Sequence, residues 1–341
     1  MFDPYTYAKP FLHMLDPEDA HELTMQALEL NVVPGQPRGD DPALATTLFG
    51  RTLTNPIGVA AGFDKNGRVY ERMGAHGFGF VEIGGVTPRS QRGNPRPRVF
   101  RLPDDGAVIN RMGFPNEGAD ALEARLRRKG RPDIGFGINL ASNADSADPA
   151  ADFVALAQRF APYADYLTLD VSCPNTANGM VFLDPAQLAD LLARLAAIAW
   201  ARGKPRLVAK LSPDVDDALL QRLVSTLLDA RIDGIVVSNT TRARPPGLRG
   251  LYANEAGGLS GKPLFGPSTA LLARVRELTG GTVPLIGVGG IASGADAFAK
   301  LHAGATVVQM YTALIYAGTA LVTKIKRELA ELLRRNGPVP R

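Results

Sequence analysis

The sequence predicts an α/β protein, a (β/α)8 barrel preceded by a two-helix extension. Three observations carry that expectation. Eight short apolar β runs alternate with helical patterns over about 270 residues. Polar residues gather just after the runs, where an α/β fold mounts its chemistry. No G-x-G-x-x-G opens a helix after a strand, which sets aside a doubly wound dinucleotide fold.

Residues 1–40 read as a helical hairpin and 41–341 as the barrel. Tyr5, Ala8, Phe11, Leu12 and Leu15 fall on one face of a first helix. Asp16 caps a second at Pro17, with Ala20, Leu23, Ala27 and Leu30 on one face, ending at Val33-Pro34-Gly35. Periodicity leaves two readings open: a lid on the main domain, or an amphipathic pair on a membrane surface. The β runs follow at Ile57–Ala60, Phe80–Ile83, Phe136–Asn139, Tyr166–Leu169, Leu207–Lys210, Gly234–Val237, Leu285–Val288 and Thr306–Met310. Asp184, Asp216, Ser268 and Ser293 are placed to cap intervening helices.

Composition narrows the function classes. The 341 residues are 45% hydrophobic and 21% charged with a net charge of +4, so a nucleic-acid partner is not expected. The basic runs Arg125–Lys129 and Lys324–Arg327 lie in helical stretches and read as solvated faces. A single Cys excludes an intrachain disulfide and a multi-Cys metal site, and fits a reducing cytoplasm. No apolar run is long enough to span a membrane, and the N-terminus lacks signal-peptide order.

The strand ends converge. The first gives Ala60-Ala61-Gly62-Phe63-Asp64-Lys65-Asn66, the second Gly84-Gly85-Val86-Thr87-Pro88, and the third Asn139. The fourth gives Asp170-Val171-Ser172-Cys173-Pro174-Asn175, where Pro174 stops the strand. The fifth ends in Lys210, the sixth in Ser238-Asn239-Thr240-Thr241, the seventh in Gly289-Gly290, and the eighth in Gln309-Met310-Tyr311-Thr312. Glycines after the seventh strand and Thr312 after the eighth stand where this fold holds phosphate. Gly257-Gly258-Leu259-Ser260-Gly261 reads as a second flexible glycine loop. Separate polar groups remain for a second molecule, which favours a phosphorylated cofactor over a phosphorylated substrate.

These residues resemble the dihydroorotate dehydrogenases, specifically the membrane-associated quinone-dependent class. The resemblance runs from Leu15-Asp16-Pro17-Glu18 to Tyr311. Its most specific motifs are Ala60–Lys65, Glu82-Ile83-Gly84, Val86-Thr87-Pro88, Asn110-Arg111-Met112-Gly113-Phe114, Ser238–Thr241, Gly257–Gly261 and Gly287-Val288-Gly289-Gly290-Ile291. It implies an FMN-binding barrel that oxidises dihydroorotate to orotate in pyrimidine synthesis and reduces a quinone, peripheral on the cytoplasmic side of the cell membrane.

By position, the resemblance implies FMN contacts from Ala61, Gly62, Lys65, Gly85, Asn139, Asp170, Lys210, Ser238, Gly261, Gly289, Gly290, Tyr311 and Thr312. It assigns the substrate to Lys65, Asn110, Met112, Gly113, Phe114, Asp170, Asn175, Asn239 and Thr240, with Cys173 as base. The hairpin becomes the mouth of a quinone tunnel lined by His21, Arg101 and Tyr311. The chain also departs from that class. Cys173 stands where it carries Ser, Asp170 where it carries Asn, Gly85 in place of a hydroxyl residue, and Ser142 in place of Lys. The Thr176-Ala177-Asn178-Gly179-Met180 segment also differs, in part of the lid over the substrate. A divergent relative that desaturates another small molecule is the alternative; a flavin-free phosphate-binding barrel is the third reading.

Overall fold

In a computed structural model that describes residues 4–36, 39–200 and 204–337, eight parallel strands close into a barrel. They are β1 (Ile57–Val59), β2 (Phe80–Val86), β3 (Gly135–Leu140), β4 (Tyr166–Leu169), β5 (Arg206–Leu211), β6 (Gly234–Val237), β7 (Leu285–Val288) and β8 (Val307–Met310). Each pairs with its neighbour in chain order, and β8 returns to β1 with Val308 opposite Ile57. Nearly every strand residue is buried, because helices cover the outside and side chains fill the inside; that is why the strands read as unbroken apolar runs. β2 continues past Ile83 to Val86, and its register with β3 shifts there. Such an irregularity re-aims the chain next to a site.

The barrel interior is layered. Phe80, Tyr166, Val208, Val236, Ile286 and Val307 form a lower apolar plug, sealed beneath by Leu48, Phe49 and Leu53 of a small antiparallel hairpin, Thr46–Leu48 with Arg51–Leu53. Two glycines make the room: a Cβ on Gly58 would lie 2.3 Å from the Phe80 ring, and one on Gly137 2.2 Å from the Tyr166 ring. Small residues facing large ones fill the layer without voids.

The helices are α1 (Pro4–Met14), α2 (Pro17–Glu29), α3 (Gly118–Lys129), α4 (Pro149–Phe160), α5 (Pro185–Ala196), α6 (Asp217–Asp229), α7 (Phe265–Leu278), α8 (Gly294–His302), α9 (Thr312–Ala317) and α10 (Ala320–Asn336). Asp16, Asp184, Asp216 and Ser293 accept backbone N–H groups as N-caps of α2, α5, α6 and α8. Ser268 does not cap: α7 already begins at Phe265 through the turn Lys262–Leu264, and the buried Ser268 hydroxyl bonds to the Leu264 carbonyl. The basic runs are only partly solvated. In α3, Lys129 Nζ meets Glu71 at 2.6 Å, and in α10 the buried Lys326 meets Asp40 at 2.5 Å.

A second sheet was not legible in the sequence. Val99–Leu102, Ala107–Asn110 and Gly258–Gly261 pair antiparallel over the barrel mouth, so the glycine-rich stretch expected to be a loop is a strand. Its glycines conceal the period-2 pattern that marks a strand. They are needed because a Cβ on Gly261 would lie 2.3 Å from the Gly106 carbonyl.

The hairpin α1–α2 forms, but with a different inward face. Ala20, Met25 and Leu28 are buried, while Leu23, Leu30, Phe11 and Leu15 are exposed. Polar anchors decide this orientation. Arg68 binds Glu22 and Glu29, each at 2.7 Å, and Arg98 makes a bidentate pair with Glu18 at 2.8 and 2.9 Å. Tyr7, Phe11, Met14, Leu15, Leu23, Leu30 and Val32 remain on the outside. No helix among the described residues is long and apolar enough to cross a membrane.

The Arg98–Glu18 pair is almost fully buried, so Glu18→Gln leaves an uncompensated guanidinium against backbone carbonyls. We expect a loss of about 3 kcal/mol. It should appear as a lower Tm and as faster limited proteolysis within residues 1–40, with the barrel fragment left intact.

Candidate active site

A cavity of about 880 Å³ opens above the apolar plug, at the carboxyl ends of the strands and beneath the antiparallel sheet and hairpin. Its floor is polar. Glu82 of β2 is fully buried and accepts from Asn139 Nδ2 of β3 at 3.0 Å, Tyr166 OH of β4 at 3.1 Å and Gln309 Nε2 of β8 at 2.8 Å. Sequence reasoning assigned Glu82 no role. Besides its place in the Glu82-Ile83-Gly84 motif, a carboxylate inside an apolar strand was the available signal.

The first strand end turns sharply. The Asp64 carboxylate accepts from Arg68 N at 2.7 Å and Val69 N at 2.8 Å, fixing a loop that presents Ala61, Gly62 and Lys65 to the cavity. Lys65 Nζ donates to the Gly62 carbonyl at 2.7 Å, and burial lowers its pKa to about 8. Gly85 follows on β2; a Cβ there would lie 3.0 Å from the Phe114 ring, so the bare backbone fits.

The fourth strand end carries Asp170 and Cys173, both buried. Asp170 Oδ1 accepts from Asn239 Nδ2 at 2.9 Å, and its other oxygen lies 3.9 Å from Lys210 Nζ. Burial pushes this carboxyl above the usual range, Lys210 pulls it back, and Glu82 adds to the rise. Cys173 is the single thiol; burial and then the Asp170 charge push its pKa up to about 12. Ser172 turns away and donates to the Lys210 carbonyl at 2.7 Å, tying β4 to β5. Asn175 Nδ2 donates to Asn110 Oδ1 at 3.3 Å, and Asn94, which the sequence did not single out, holds the Asn175 carbonyl at 3.0 Å. The segment Ala177–Leu183 forms a short 3-10 helix, and Asn178 pins it to the Asn143, Ala144 and Ser146 carbonyls.

The same cavity is lined by Asn110, Met112, Gly113, Phe114, Asn139, Lys210, Ser238, Asn239 and Thr240. Gly261, Gly289, Gly290, Tyr311 and Thr312 line it too. The fold thus gathers the residues assigned to flavin, substrate and quinone around one cavity, whereas Ser142, Thr241 and Gly257 lie outside its lining. Asn239 Nδ2 reaches Ser172 as well, at 3.3 Å, so its donors are engaged within the protein. Thr312 Oγ1 donates to Ser260 Oγ at 2.9 Å.

Toward the hairpin the lining becomes aromatic. His21 of α2 meets Phe63 edge-on at 5.7 Å and Tyr311 at 6.3 Å, and Phe63 meets Tyr311 at 5.6 Å. Burial, then the charge of Lys65, lowers His21 to about 3, so its imidazole is neutral. Arg101 donates to the Leu12 carbonyl at 3.1 Å and to that of Leu15, closing the end of α1 while bordering the cavity.

The sequence model of the family described as dihydroorotate dehydrogenase matches residues 43–333. The chain belongs to the dihydroorotate dehydrogenase family. A relative from Parvibaculum lavamentivorans, named dihydroorotate dehydrogenase (quinone), is 48% identical over 98% of this chain and 96% of its own. One of the same name from Rhodospirillum rubrum is 47% identical over 99% and 92%. Among solved structures, the Eimeria tenella enzyme crystallised with ferulenol superposes with a TM-score of 0.90 at 34% identity, covering 95% of this chain and 93% of that one.

A thiol at about 12 leaves about one thiolate in ten thousand at pH 8. Alkylation of the folded protein by iodoacetamide should therefore be slow at pH 7, rise about tenfold per pH unit, and become fast once the chain is unfolded. As Cys173 is the only thiol, mass spectrometry of the intact chain reads it directly.

Proposed function

We propose that the chain is an FMN-dependent, quinone-reducing dihydroorotate dehydrogenase of pyrimidine synthesis. The observation that carries this reading is one continuous cavity joining a polar floor, a thiol-bearing loop and an aromatic mouth under α1–α2. The residues suit a flavin nucleotide. Asn139 Oδ1 and Gln309 Oε1 are buried without a protein partner and line the cavity, acceptors of the kind ring N–H groups need. Gly289 and Gly290 adopt φ of +107° and +76°, leaving backbone free of side chains where phosphate binds in this fold. Bound FMN would supply the two-electron acceptor for substrate hydride and the link to quinone.

The chain's own residues do the rest. Lys65 holds the substrate carboxylate by charge-assisted hydrogen bonds, and Asn110 and Asn175 meet the ring amides. Cys173 Sγ takes the proton from carbon 5 of the ring as hydride leaves carbon 6. Neutral His21 with Phe63 and Tyr311 offers an apolar passage for a quinone ring. The exposed row of Phe11 and Met14 on α1, Leu15 just beyond it, Leu23 on α2 and Leu30 at its C-terminal end lies against the membrane surface. In this reading, residues 1–40 form the quinone mouth and 41–341 the catalytic barrel.

Anaerobic mixing with dihydroorotate should bleach the flavin rapidly, and Cys173→Ala should slow bleaching by about a hundredfold or more. Flavin that dithionite reduces but dihydroorotate does not would favour a different substrate, with attention on Asp170.

Only the thiolate accepts the proton, so the bleaching rate should climb with pH throughout the 6–9 range and show no plateau below the raised thiol pKa. Asp170→Asn removes a nearby negative charge and should move the profile to lower pH. An unmoved profile would mean that the Asp170 carboxyl is already neutral.

Replacing Phe11 and Met14 together by Glu should abolish binding to lipid vesicles and raise the KM for a long-chain quinone, while dihydroorotate bleaching is unchanged. Retained vesicle binding would sink the membrane reading.

A further inference from the structure

One ionisable group is deeply buried and has no part in the chemistry above. Lys300 of α8 is 0% exposed, yet among the described residues no carboxylate pairs with it. Its Nζ donates to Ser268 Oγ at 2.6 Å and to the Val288 carbonyl at 3.3 Å, and lies 5.5 Å from the centre of the Phe265 ring. Ser268 Oγ in turn bonds the Leu264 carbonyl at 2.7 Å and approaches that of Gly289 at 3.4 Å. The amine thus sits behind the Val288-Gly289-Gly290 turn, and neither Lys300 nor Ser268 lines the cavity. The turn has no slack: a Cβ on Gly289 would lie 2.7 Å from Ser268 Oγ, and one on Gly290 2.5 Å from Phe265 Cβ.

A buried amine without an anion is costly, and such a group is normally matched by a partner. Nearby charges make no contact with it, although the Asp296 carboxylate favours the ammonium through space. Asp296 of α8 accepts from Ala292 N at 3.0 Å, Glu328 of α10 from Gly294 N at 2.8 Å, and Arg276 of α7 donates to the Gly281 carbonyl at 3.0 Å. β7 and β8 bring no charged side chain to it.

We propose that Lys300 is a positioning residue and buried counter-charge for the phosphate of the flavin nucleotide, acting through Ser268 and the Val288–Gly290 turn. The inference rests on the flavin reading above. Burial lowers Lys300 to about 7, so near pH 8 the amine is mostly neutral in the free protein. A phosphate dianion on the far side of the turn favours the ammonium, and the amine takes one proton from solvent as the nucleotide binds. The phosphate then meets a positive charge from behind the turn, in addition to Lys262 and Lys324, which line the cavity itself.

The test compares FMN with riboflavin, which lacks the phosphate, on the deflavinated full-length chain at pH 8. Flavin fluorescence gives affinity, and calorimetry in two buffers of different ionisation heat gives proton uptake. Wild type should prefer FMN and take up a substantial fraction of a proton with FMN but not with riboflavin. Lys300→Met, which keeps the apolar stem, should weaken FMN binding by about tenfold or more, leave riboflavin affinity unchanged and abolish the uptake. Equal weakening for both flavins would reduce Lys300 to a prop for the turn and overturn the proposal. So would unchanged FMN affinity, or FMN binding to wild type without proton uptake. Wild type that binds neither flavin overturns the functional reading, and this inference with it.

Discussion

The structure depends on a single buried carboxylate. Glu82 projects from β2 into the barrel just above the apolar plug, where a charge without partners would be expensive. Three donors from three other strands satisfy it: Asn139, Tyr166 and Gln309. The network links β2, β3, β4 and β8 and turns the top of a hydrophobic barrel into a polar floor. Tyr166 belongs to both layers, its ring in the plug and its hydroxyl on the carboxylate. Everything the cavity offers, from Lys210 to the glycine turn, stands on or around that boundary.

From this floor the cavity divides by polarity. Beside β4 burial raises both Asp170 and Cys173, and the Asp170 charge adds to the rise at Cys173, so the sulfur is held as a thiol. Toward α1–α2 the same cavity becomes aromatic, and burial keeps even its histidine neutral. Behind the Gly289–Gly290 turn a lysine is kept out of the cavity altogether.

Much of this was legible in the chain. The eight strands fall within a few residues of the apolar runs, because a strand buried on both faces must be continuously apolar. The site residues are gathered because a parallel barrel turns all its strand ends to one face. The misreadings share a cause. Glycines masked the Gly258–Gly261 strand, whose pairing lies with residues 107–110, far away in sequence. The inward face of α2 was set by Arg68 and Arg98 reaching for Glu22, Glu29 and Glu18, which helical periodicity cannot register. Ser268 looked like a cap but serves the buried Lys300 instead.

The sequence by itself determined the barrel, the order of its strands and the set of side chains at its mouth. These follow from local patterns of burial and turn chemistry, which are written residue by residue. Only the tertiary structure decided what those side chains do to one another. It put Lys210 and Asn239 against Asp170, Glu82 beneath Asn139, and Lys300 behind a turn it never touches in sequence. Protonation depends on burial and on charges brought close through space, and folding alone fixes both.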